Sequence, residues 1–148
     1  MSLTQQIVED IIAQISLING ADPWLTAIGQ NVFWERAQYI EYDQNCTIIS
    51  TEKEITSINL AFEHRLQLTV ECYIFGLDEM AQNKMAIGAM GAAVETDLLR
   101  AIGGMRSAAA HIASVSAVAP LEVEVAGKVA IKVAVIFVIT YRTNRWEN

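Results

Sequence analysis

Two histidines and two cysteines are the residues best equipped to do chemistry in this chain, and neither pair is spaced for it. His64 falls on the apolar side of an alternating stretch, where a buried, hydrogen-bonded or strand-end histidine is the ordinary outcome. His111 stands among alanines. A zinc site would need ligands at helix or turn spacing, and the sequence has no HExxH and no CxxC. Cys72 lies eight residues beyond His64 on the same extended stretch, roughly 27 Å away at the usual strand rise, too far for a thiol and its base. No GxSxG elbow, Walker loop or GxGxxG fingerprint occurs. The carboxylate pairs Glu9-Asp10, Asp78-Glu79 and Glu52/Glu54 sit at expected helix starts or in an exposed segment, where solvated charge is the default. The expectation is a protein with no catalytic residues, metal or cofactor.

The elements explain what these residues do instead. Leu3, Ile7, Ile11, Ile15 and Ile18 recur at helical spacing, with Val8 and Ile12 widening the stripe and Asn19-Gly20 as the stop. Asp22-Pro23 reads as the N-cap and first residue of a short second helix. Val32 to Tyr42 is aromatic-rich and β-leaning, and Cys46 to Ser50 is a short strand. Thr51 to Asn59 is a polar loop or arm between strands. From Phe62 to Phe75 the sequence alternates strictly, which predicts a strand with one covered face and one open face. A long helix follows from Asp78-Glu79 to Ile102, closed by Gly103-Gly104. Its middle is slim, and Gly88 and Gly91 predict close approach by a sheet or a neighbouring helix, because each glycine costs about 1 kcal/mol of helix stability relative to alanine. His111 to Val118, Leu121 to Val125 and Lys128 to Arg142 read as strands, with Ala126-Gly127 as a hairpin turn. This is one α+β domain over residues 1–148: a mainly antiparallel sheet of four to six strands, with an N-terminal helix and one long central helix on one face.

Composition sets the partners. The chain has 148 residues, 53% of them hydrophobic, and its mean hydropathy is +0.30, above an ordinary small monomer. Val133 to Ile139, the most apolar run, is far short of the ~20 residues of a spanning helix, and Met1 to Gln6 lacks the pattern of a secretory leader. The apolar excess therefore points to other subunits rather than to a membrane. The last strand sharpens this, since Ile131 and Val133 line one face while Ile136 and Val138 line the other. Both faces need cover, from the Val32–Tyr42 region or from a neighbouring subunit. Ile131, Val133, Ile136, Val138, Gly88 and Gly91 are the candidate subunit contacts. Two cysteines without a leader read as reduced thiols. A net charge of −7 with scattered basic residues argues against tight binding to nucleic acid.

The order of elements, the strand Arg65-Leu66-Gln67-Leu68-Thr69-Val70-Glu71, the helix end Asp97-Leu98-Leu99-Arg100-Ala101-Ile102-Gly103-Gly104 and the closing Phe137-Val138-Ile139-Thr140-Tyr141-Arg142-Thr143 together resemble the tail terminator and tail-completion proteins of long-tailed bacteriophages. The resemblance spans nearly the whole chain, although Arg36–Asn45 lacks the proline expected ahead of the short strand. It implies a homo-hexameric ring in the virion, assembled in the host cytoplasm. The ring would cap the tail tube, end its polymerisation and offer a joining surface to head–tail connector proteins. DNA would pass through without specific binding, and no membrane would be involved. Glu52, Lys53, Glu54 and Thr56 are the candidates for touching tube or connector. The alternatives are a neck or head-closure component of the same particle, and a small dimeric ligand-binding domain.

Overall fold

The computed structural model describes residues 3–34, 44–75, 84–103, 110–125 and 127–144. The chain begins with helix α1 (Leu3–Ile15). Ile7, Ile11, Ile15 and Ile18 of its stripe are fully buried, and Leu3 and Ile12 pack against them partly exposed. The helix ends by tightening: Leu17 N–H donates to the Gln14 carbonyl at 3.2 Å and Ile18 N–H to the Ile15 carbonyl at 3.0 Å. Gly20 then takes φ +81°, the left-handed turn that the Asn19-Gly20 pair predicts.

No α-helix starts at Asp22-Pro23. That peptide bond is cis, and the segment forms a turn leading to a 3-10 helix at Ile28–Gln30. The physical reason lies in its donors. Trp24 N–H bonds the Ala21 carbonyl, while the N–H groups of Leu25 and Thr26 go to a carboxylate far along the chain, leaving no helical ladder.

The remaining chain builds one five-stranded sheet in the order β1-β2-β3-β5-β4. Strand β1 (Val32–Trp34) lies parallel to β2 (Gln44–Ile58), and the other pairings are antiparallel, among β3 (Ala61–Phe75), β4 (Ala110–Val125) and β5 (Lys128–Asn144). Residues 35–43 of the β-leaning stretch lie outside the described residues. Two expected pieces merge. The Cys46–Ser50 strand and the polar segment after it are a single strand, carried past a register shift between Ser50 and Glu52 and turned at Asn59, with φ +53°. The stretches on either side of Pro120 are likewise one strand, β4, with register shifts between Ile112 and Ser114 and between Val118 and Leu121.

Helix α2 (Lys84–Gly103) shares one face of the sheet with α1. The expected start at Asp78-Glu79, and Gly104, lie outside the described residues. Val94, Leu98, Ala101 and Ile102 meet Leu68, Val70, Val133, Val135 and Phe137 in a continuous core. Gly91 explains the slim helix: a Cβ there would stand 2.6 Å from Pro120 Cγ, so α2 and β4 approach too closely for any side chain. Gly88 has open space around it and meets nothing within the chain. The architecture is the α+β fold that the sequence predicts, with both helices on one face.

On its second face, β5 is served mainly by its own sheet. Ala130 packs with Tyr73, Phe75 and Val123, and Ala134 and Val138 are 7% and 6% exposed. These positions sit on a central strand, shaded by Thr69, Glu71 and Gln67 on one side and Val118 and Ser114 on the other. Short side chains between longer ones are covered without a second layer.

Candidate functional site

His64 sits near the start of β3, 6% exposed, its ring stacked on Tyr141 at 4.6 Å between centroids. Its Nε2 lies 2.8 Å from Thr143 Oγ1. Burial lowers its pKa below the ordinary histidine value, and the positive charge of Lys53 lowers it further. The neutral ring is therefore a structural piece, plugged into the end of the core. Cys46 and Cys72 stand directly opposite each other on β2 and β3, fully buried and free. Burial pushes the Cys72 thiol well up, with a hydrogen bond to Cys46 adding to the effect. A protonated thiol without access to solvent is inert as a nucleophile.

One carboxylate, quoted in the sequence only within the helix-end motif, proves central to the architecture. Asp97 on α2 is completely buried. It accepts N–H bonds from Leu25 (3.0 Å to Oδ1) and Thr26 (2.7 Å to Oδ2), and the Thr26 hydroxyl at 2.8 Å. One turn on, Arg100 donates to the Pro23 carbonyl at 2.7 Å and lies over the Trp24 ring. Together they clamp the 23–26 turn onto α2. Every polar partner in the clamp is intramolecular, and the local sequence could not reveal it because the partners are more than seventy residues apart.

The open face carries cross-strand pairs. Lys132 Nζ meets Glu71 at 3.1 Å, Tyr73 donates to the same carboxylate at 2.8 Å, and Arg142 meets Glu63 at 3.4 Å. An open hollow of 390 Å³ near the last pair is lined by Glu63, His111, Thr140, Tyr141 and Arg142. It brings together one exposed histidine and an ion pair already matched. Among the described residues, no three His, Cys, Asp or Glu side chains gather as metal ligands, and no helix is long and apolar enough to cross a membrane.

What distinguishes the surface is the sheet's two edges. Strand β1 covers β2 only at Cys46–Ile48. From there to its tip β2 has no described neighbour on its outer side, and residues 51–60 are exposed throughout, forming an arm. Glu52, Glu54 and Thr56 project on the open face with Gln67, Arg65 and Glu63, while Lys53 and Ile55 lie on the other with Leu66 and His64. At the opposite edge, β4 is exposed from His111 to Ala119. Among the described residues, eleven large hydrophobic side chains are exposed; three belong to the arm and its turn (Ile55, Ile58, Leu60) and four to β4 (Ile112, Val115, Val118, Leu121), so their apolar exposure concentrates at the edges.

The candidate contacts divide accordingly. Ile131 and Val133 are 1% and 0% exposed in the chain's own core, which removes them as subunit contacts: both point at the helices. Ile136 and Val138 lie on the open face, Ile136 half-buried and Val138 nearly covered. Gly91 is spent on Pro120, and Gly88 stays open. The alternation that exposed β3 so clearly could not show which strands end the sheet, and the edges went unnoticed for that reason.

Fold and surface define an α+β protein built on a mixed sheet whose two edges, among the described residues, carry unlike exposed strands. The chain matches no protein-family model, and no match was found among curated proteins.

Proposed function

We propose that this chain is a structural ring protein of a phage or phage-like particle, capping the tail tube, ending its polymerisation and presenting the surface to which the head joins. The observation that carries the reading is the exposed apolar side chains that the described residues carry at two unlike sheet edges, the arm at 51–60 and β4 at 111–121. A chain with two different sticky edges makes head-to-tail contacts, and such contacts close into rings when the rotation permits. The order of elements adds the resemblance to tail terminators. The action is steric: a closed ring offers no further site for tube subunits, and nothing turns over.

In this reading the arm side chains Glu52, Lys53, Glu54 and Thr56, exposed off both faces of a projecting hairpin, reach the tube or the connector. The net charge of −7 keeps the ring from gripping the DNA that passes through it.

The test is tube growth. Tail-tube protein polymerising in vitro should stop at short lengths when substoichiometric chain is added, with the added protein at tube ends in electron micrographs. Tubes that lengthen unchanged, with no protein at their ends, would remove the reading.

A further inference from the structure

We infer that Cys46 and Cys72 are a site of covalent modification, a thiol pair placed to close into a disulfide between β2 and β3 when a low-molecular-weight disulfide reaches it through an opened sheet. The inference goes beyond the ring reading and needs no second copy of the chain.

Register is the first argument. Cys46 faces Cys72 directly across the antiparallel β2–β3 ladder. A bond on the other side of β2 fixes the kind of pair: Cys46 N–H donates to the Asn31 carbonyl at 2.9 Å, at the start of β1. The N–H and C=O of one strand residue point to the same side, so the backbone of Cys46 turns to β1 and away from β3. Cys46 and Cys72 are therefore a non-hydrogen-bonded pair, the closer of the two kinds, with Cα atoms about 4.5 Å apart in ordinary antiparallel geometry. Disulfides span Cα separations of about 4.4–6.8 Å, so this one forms with both strands in place.

The side chains agree. Both lie on the covered face, in the same core as Ile48 and Val70, and Cys72 shares a hydrogen bond with Cys46. They are the only two cysteines in the chain, so exchange has a single intramolecular product.

Burial decides when the pair reacts. Both thiols are fully buried and free, and no oxidant reaches them in the closed sheet. Opening of the strands brings them to water and to ordinary thiol acidity. The thiolate of one cysteine then attacks a sulfur of the small disulfide and expels a thiolate, which takes up the proton the cysteine lost. The thiolate of the other cysteine attacks the protein sulfur of that mixed disulfide, forms the Cys46–Cys72 bond and expels the second small thiolate, which takes up the second proton. The chain gives up two electrons and the small disulfide gains them. The product ties β2 to β3 at the root of the arm and encloses the whole hairpin between the two cysteines in one covalent loop.

The experiment uses the full chain with a slight excess of oxidised glutathione, in urea from none up to the unfolding midpoint. Iodoacetamide stops the reaction, and intact mass with peptide mapping reads the product. The expected product is a chain lighter by two hydrogens, with no glutathione attached, no thiol left to alkylate and the two cysteine peptides joined. Its rate of formation should rise with urea. Cys46→Ala under the same conditions should instead hold one glutathione on Cys72. Wild-type chain that accumulates glutathione adducts as the variant does, or that links into disulfide-bonded dimers, would overturn the site. So would two thiols that stay free at the midpoint, where the sheet is open half the time. A rate indifferent to urea would overturn the opening step.

Discussion

The covered face of the sheet and its two edges carry similar side chains to opposite fates. On the covered face Leu68, Val70, Val133, Val135 and Phe137 lie under α1 and α2 with at most 1% exposure. On β4, only one strand away, Val115 faces Phe137 across the ladder and is 41% exposed, and Ala117 beside Val135 is exposed as well. Helix α2 meets β4 at Pro120, against Gly91, and leaves Val115 and Ala117 uncovered. Stability is therefore held at the centre, and the margins contribute little to it. A substitution should move stability much or little, depending on which side of that line it falls.

The largest effect belongs to the centre. Phe137→Ala should cost about 3–5 kcal/mol of unfolding free energy, through lost burial and the cavity left behind, measured by chemical denaturation. Asp97→Ala comes next. It leaves the buried Thr26 N–H and hydroxyl, and the part-buried Leu25 N–H, without their acceptor, and about 3 kcal/mol should be lost. Asp97→Asn, which keeps one acceptor oxygen, should recover part of this. The two helix glycines divide the comparison more finely. Gly91→Ala forces α2 away from Pro120 and should cost about 1 kcal/mol net, since overpacking outweighs the gain in helix propensity. Gly88→Ala meets open space and should stabilise the monomer by about 1 kcal/mol. If Gly88 also abuts a neighbouring subunit, the same variant will assemble less well while melting higher.

The smallest effect on stability concerns His64. Its pKa is lowered on folding, so the unfolded chain binds the proton more readily. Stability should be complete above the ordinary histidine value of about 6.5 and decline as pH falls through and below it. His64→Gln should flatten that decline, and pH-dependent thermal melts would register the difference.

How much of this could be read from residue order depends on where each determinant lies. The stripe from Ile7 to Ile18 and the alternation from Phe62 to Phe75 are local patterns, and both elements were legible with their buried faces. The Asp22-Pro23 turn was misread as a helix because its N–H partners sit on Asp97, which no local pattern announces. The polar arm looked like a loop because Thr51-Glu52-Lys53-Glu54 lacks the apolar face of an ordinary strand; it is held extended by pairing with β3. The most consequential reassignment concerns Ile131 and Val133. Their strand reads as apolar on both sides, and only the strand order reveals that its neighbours shade it. The apolar surplus that suggested assembly lies at Ile112, Val115 and Val118 instead.

The account's central claim is that these margins join copies of the chain into a closed ring, and the most direct measurement is the mass of the purified protein by light scattering over a wide concentration range. The account predicts a single closed species of six copies. A mass that stays at one or two copies at every concentration would contradict it.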